Sequence, residues 1–100
     1  NYVKCYDWAS KFFGLMFKTN ITPLIFIFNK ERIVSLHSFF VKFPIDIVFL
    51  NELFEVVELK KNMLPYQFYT PKNNALFVLE LPEHSIVNGD IAVNDIVSFK

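Results

Sequence analysis

The feature that most constrains this chain is its punctuation. Turn-forming clusters recur at short intervals: Asn20 to Pro23, Asn29 to Glu31, Asn51-Glu52, Pro71 to Asn74 and Asn88-Gly89. Between them lie short runs rich in Phe, Val, Ile and Tyr, residues that suit a pleated, half-buried surface. The spacing predicts strands near 2–6, 24–28, 33–41, 45–50, 54–60, 66–70, 75–81 and 95–99. So many short strands predict an all-β fold, a sandwich or a barrel.

Alternation along each run predicts which faces are covered. In ALFVLEL, Phe77, Leu79 and Leu81 point one way, and Val78 and Glu80 point the other. In PIDIVFL, Ile45, Ile47 and Phe49 share one face, and Asp46, Val48 and Leu50 share the opposite one. That strand is apolar on both sides apart from one acid, so both faces should be covered. FEVVELKK instead ends in charge, which places it at a sheet edge with Glu55 and Glu58 facing solvent. Leu50 to Phe54 reads as a hairpin connection. Two stretches read as short helices: DWASKFFG, capped by Asp7 and stopped by Gly14, and PEHSIVNG, opening on Pro82.

One hundred residues, 53% of them hydrophobic and 18% aromatic, make one domain over 1–100 with a sizeable core. Basic and acidic residues number 10 each, so no net field invites nucleic acid. Cys5 is the single cysteine, so no internal disulfide forms, which fits a reducing, cytoplasmic setting. The N-terminal NYVKCYDW lacks the order of a secretory signal, although a removed leader stays open. Apolar runs such as PLIFIF fall short of the ~18 residues of a membrane span.

GLMFK, PLIFIF, HSFFVKFPIDIVFLNELFEVVEL, YQFYTP and FVLELP, in that order, resemble a small uncharacterised family, domain of unknown function 192. The resemblance runs from about Ala9 to Phe99 and is similar to the version found in archaea. It implies a β-sandwich of jelly-roll type with no established activity, substrate or cofactor. Departures are informative. Lys18 stands where the family usually has arginine, and Asn94-Asp95 where it has Gly-Asp. His84 lies near the place of a usual glycine. Asn tolerates a left-handed backbone, so the turn at Asn94 should survive.

Asp46 is the first candidate site. An unpaired buried charge costs several kcal/mol, on the order of a small domain's whole stability, so it must be neutral, partnered or near water. Lys18, Lys42 or Arg32 could pair with it, or it could accept hydrogen bonds and fix how strands cross. Alternatively, Asp46 could trade protons in a pocket, with His37 or with Glu80 as the second group of an acid/base pair. Two histidines and one cysteine offer no metal-binding spacing, and no cofactor motif is present. Rings at Phe39, Phe40, Tyr66, Phe68 and Tyr69 either fill the core or mark a partner surface.

The combined expectation is an all-β sandwich of jelly-roll type with one or two short helices, acting as a non-enzymatic ligand-binding or interaction module. Its ligand-binding residues are expected to be Lys18, His37, Phe39, Phe40, Asp46 and Glu80. The partner is a small molecule or protein, with no nucleic acid and no membrane, and the assembly is a monomer or homodimer. The competing class is a small hydrolase or isomerase using Asp46 or His37.

Overall fold

The computed structural model describes residues 5–7, 24–37 and 44–98. Its strands are β1 (Cys5–Asp7), β2 (Leu24–Arg32), β3 (Leu36–His37), β4 (Ile45–Leu50), β5 (Val56–Met63), β6 (Phe68–Tyr69), β7 (Ala75–Pro82) and β8 (Ile96–Ser98), with one helical turn, α1 (Ser85–Asn88). The described fold is all-β. Strands β2, β7, β4 and β5 form an antiparallel sheet in that order, while β1 pairs with β8 in parallel and β3 pairs with β6 antiparallel.

The predicted strand at 45–50 is found with the same bounds, and FEVVELKK does lie at an edge. Two expectations need correction. The strand expected over 33–41 begins as irregular chain at 33–35 and enters a two-residue strand that pairs with the equally short β6 among the described residues, while 38–41 lie outside them. Pro82 does not open the helix: it ends β7 opposite Ile45, and α1 starts three residues later. A proline fits a ladder end, where no N–H is required. The helix expected across DWASKFFG falls on residues 8–14, outside the described residues.

Register confirms the two faces of β4. Opposed residues share a face, and Val48 opposes Leu79 while Leu50 opposes Phe77. On that side Val48, Leu50, Leu79 and Leu81 pack with Ile86, Ile91 and Val97. On the other, Ile45, Ile47 and Phe49 pack with Val78, Met63 and Val34. All six β4 residues are buried, so the strand is enclosed on both sides.

Asp46 sits in this enclosed strand at 1% exposure. Its Oδ1 accepts the Asn62 N–H at 2.9 Å and its Oδ2 accepts the Ile86 N–H at 2.9 Å. The first donor belongs to a β-bulge: between the pairs Ile45/Met63 and Ile47/Lys60, one β4 residue, Asp46, faces two of β5, Lys61 and Asn62. Asn62, at φ 54°, provides the left-handed step there. The second donor is an amide of the first turn of α1, a group with no intrahelical partner. The acid is thus held by main-chain amides, as the structural alternative expected. Arg32 is far away, opposing Ala75 while Asp46 opposes Leu81. Lys18 and Lys42 lie outside the described residues.

The remaining joints are equally local. Asn51 closes the β4–β5 hairpin by accepting the Leu53 and Glu55 amides, each at 2.9 Å, on its Oδ1. Asn94 adopts φ 79°, as its tolerance for that region allows, and donates its N–H to the Val56 carbonyl at 2.8 Å. His84 also lies in the left-handed region, at φ 70°, with an exposed side chain.

Two outcomes follow. Asp46→Asn leaves one acceptor oxygen for two buried N–H donors, and should destabilise the domain by about 1–3 kcal/mol, read as a lower urea midpoint at unchanged slope. His84→Gly relieves a left-handed penalty of about 1–2 kcal/mol against a glycine entropy term of about 0.5–1 kcal/mol. The same titration should show a small gain in stability.

Candidate functional site

A cleft opens where β2 loses step with β7. Leu24 to Ile27 pair in regular order with Glu80 to Phe77, but the next pair is Arg32 with Ala75. Five residues of β2 therefore advance against two of β7, and the surplus arches away from the sheet. The turn expected at Asn29 to Glu31 is not formed as such: β2 continues through these residues, and the irregularity appears as a register shift instead. The chain then turns inward at Val34, which is buried in the core. The result is a cavity of about 320 Å³ with Val78 and Glu80 of β7, Phe26 and Phe28 of β2 and the 32–36 segment as its lining.

Glu80 is the polar group inside it. It shares a face with Ile47, its β4 partner, and with Val78, so apolar neighbours surround it. Burial pushes its carboxyl above the usual carboxylate range. Among the described residues none offers it a hydrogen bond or an ion pair. Arg32 lies at the other end of the cleft, its guanidinium carbon 5.6 Å from the centroid of the Phe28 ring. Ser35 adds a hydroxyl, 3.3 Å from that of Thr70. Chemically, the cleft combines a half-desolvated acid, a guanidinium and two aromatic walls.

The expected site residues separate. Asp46 opposes Leu81 and Glu80 opposes Ile47, neighbouring positions of β7 and hence opposite faces of the sheet. The two carboxylates do not share a cavity, and the acid/base pair suggested by their sequence positions is not formed. His37 follows Leu36, a lining residue, and pairs with Phe68 in the β3–β6 ladder. Lys18, Phe39 and Phe40 fall outside the described residues. Arg32, considered only as a companion for Asp46, and the alternating Phe26 and Phe28 were missed as cleft residues. Their signal was the FIFNKER run, in which aromatic alternation meets a turn cluster.

Glu58 is half-buried on the edge strand, and its carboxylate accepts the Tyr69 hydroxyl, the Lys72 amide at 2.9 Å, the Asn73 amide at 3.0 Å and the Asn73 side chain at 2.9 Å. Burial alone would raise its pKa, yet these donors together hold it below the ordinary value. Burial, then the hydrogen bond to Glu58 and its charge, push the Tyr69 hydroxyl up to about 12. This joint ties the β6–β7 connection to the edge strand β5. Of the other rings, Tyr66 and Phe68 are 75% and 73% exposed.

No group of three His, Cys, Asp or Glu side chains gathers among the described residues as a metal site would require. No described helix is long and apolar enough to cross a membrane.

An all-β domain with a side cleft holding one acid unpartnered among the described residues is the class of protein defined by these features. The chain belongs to the DUF192 family, described as "Uncharacterized ACR", whose model matches residues 5–99. The UPF0127 protein PF1050 of Pyrococcus furiosus is 35% identical over 91 residues, 89% of this chain and 78% of that relative. A UPF0127 protein of Thermococcus sibiricus is 40% identical over 75 residues, 72% of this chain but 48% of that relative, so the chain spans about half its length. Among solved structures, a protein of unknown function from Novosphingobium aromaticivorans superposes with a TM-score of 0.69 at 23% identity, over 90% of this chain and 69% of that one. A putative transcription regulator from Sinorhizobium meliloti gives 0.71 at 17% identity, over 92% and 76%. These two likenesses bear on fold alone.

The raised pKa of Glu80 has a measurable consequence. Folding takes up a proton in the window between the ordinary carboxylate value of 4.5 and the raised one, so this group makes stability fall as pH rises through that window. Glu80→Gln should be more stable than the parent at neutral pH, with the difference closing at and below pH 4.5. Urea titrations of both proteins across that range check it.

Proposed function

We propose that this chain is a single-domain, non-enzymatic binding module that receives a small amphipathic molecule in the cleft between β2, β7 and the 32–36 segment. The observation that carries this reading is Glu80. A half-buried carboxylate without a partner is a standing cost to the fold, and a ligand that supplies a hydrogen bond or a charge removes it. The aromatic walls and the guanidinium give such a ligand an apolar bed and a second polar anchor.

Several finer expectations accompany this proposal. The strands close as a sandwich of jelly-roll type, the protein works in the cytoplasm as a monomer or homodimer, and His37 adjoins the cleft through its neighbour Leu36. Lys18, Phe39 and Phe40 remain expected ligand contacts. Asp46 is withdrawn from that role, since both of its oxygens are engaged and its exposure is 1%. A proton-transfer mechanism through Asp46 loses its base for the same reason. The regulator designation of the Sinorhizobium protein gains no support from charge here, with 10 basic against 10 acidic residues.

A thermal-shift screen of amines, carboxylic acids, sugars and short peptides tests the reading. A true ligand at about a hundred times its Kd stabilises the native state by ~2.7 kcal/mol, a Tm rise of several degrees in a domain of this size. The rise should shrink in Glu80→Gln. Hits that stabilise parent and variant equally would place binding elsewhere and remove the cleft from consideration.

A further inference from the structure

The two charged residues of the cleft carry the argument further, on the premise that the cleft is a ligand site. They have opposite signs and stand apart. Glu80 opposes Leu24 near the start of β2, whereas Arg32 opposes Ala75 at its end. These register positions lie five residue steps apart along β7, a Cα span of about 17 Å at strand spacing. Both residues line the same cavity. The described lining also includes Phe26, Phe28, Val78 and Ile33, with no further charge among the described lining residues.

We propose that the cleft binds a short apolar peptide with both termini free, its ammonium against Glu80 and its carboxylate against Arg32. An α-amino acid carries its two charges too close together to reach both ends. Two or three extended residues cover roughly 7–11 Å, and a cavity of about 320 Å³ holds a ligand of that size but not a longer chain. The ammonium supplies the partner that Glu80 lacks. The carboxylate matches the fork of Arg32, whose planar guanidinium pairs with carboxylates through two parallel hydrogen bonds. Apolar side chains rest on Phe26 and Phe28, and the Ser35 hydroxyl is available to a peptide carbonyl.

Calorimetric titration of the full chain with phenylalanyl-leucine, its N-acetyl form and its C-terminal amide tests the assignment. The free dipeptide should bind, and each blocked form should bind at least about tenfold more weakly, the effect of losing one charge-assisted contact. Glu80→Gln should erase the preference for a free amine, and Arg32→Gln the preference for a free carboxylate. The first substitution removes a destabilising charge and the second lies on the surface, so both variants should fold. Equal affinity for blocked and free peptides overturns the proposal, as does preference that survives the substitutions. Silence of all three peptides also overturns it, and the screen then separates the two readings. If another compound raises Tm in a Glu80-dependent way, the binding cleft stands and the peptide assignment alone falls; if none does, both fall.

Discussion

The Asp46 carboxylate is the joint on which the rest of the structure depends. β4 is enclosed on both faces, so a slip of one residue would exchange its two apolar sets and leave the acid on the other side. Asp46 opposes this slip because its two oxygens answer donors fixed elsewhere, one in the β5 bulge and one in the first turn of α1. The bulge sets the register of the edge strand. The helical turn places Ile86 over Val48, Leu50 and Leu79, closing that side of the core. A helix of four residues has almost no stability of its own, so its position rests on that anchored amide and on Ile86. One buried acid thereby coordinates the middle of the sheet, its edge and its cover.

Much of this was legible because strand periodicity is a local property. Alternation in ALFVLEL and PIDIVFL assigned Leu79 and Val78, and Ile47 and Val48, to faces that the register confirms. The lone acid in an apolar strand correctly demanded a partner. Chemistry of single residues also carried through at Asn94, whose left-handed backbone replaces a glycine. What remained hidden were the neighbours. Periodicity says that a residue points to one face, but not which strand lies beside it. Asp46 and Glu80 therefore looked like a possible pair until the β4–β7 register put them back to back. The cleft was hidden for a related reason: it arises from a register shift between strands separated by more than forty residues, and only its turn cluster leaves a trace in the sequence. The donors of Glu58 were hidden as well, because they come from the loop after β6, folded back on the edge.

Placed side by side, the two acids of the central strands show how one chemical group serves opposite ends. Asp46 is the more deeply buried, yet each oxygen receives an amide, and the surrounding backbone is bent to deliver them. Glu80 is only partly enclosed and receives no hydrogen bond from the described residues. Were its role to fix strand order, a donor on β2 or β4 would be the simple solution, since both strands flank it. Instead its neighbours across the ladder are Leu24 and Ile47, neither of which has a polar side chain. The fold satisfies the acid it needs for architecture and leaves the other facing a cavity.

That asymmetry links binding to stability. A group whose charged form is penalised in the empty domain weakens the native state near neutrality, and a cationic partner reverses the sign of its contribution. Any ligand meeting Glu80 with positive charge therefore gains from relief of this penalty as well as from its own contacts, and tightens the β2–β7 side of the sheet in doing so. The register shift in β2 completes the argument. An unbroken ladder would have carried the Arg32 end of the strand past the sheet, with no arch and no cavity; the surplus residues bring a guanidinium and two rings to the same opening as the acid. The irregular strand, rather than the regular ones, is where this small domain acquires chemistry.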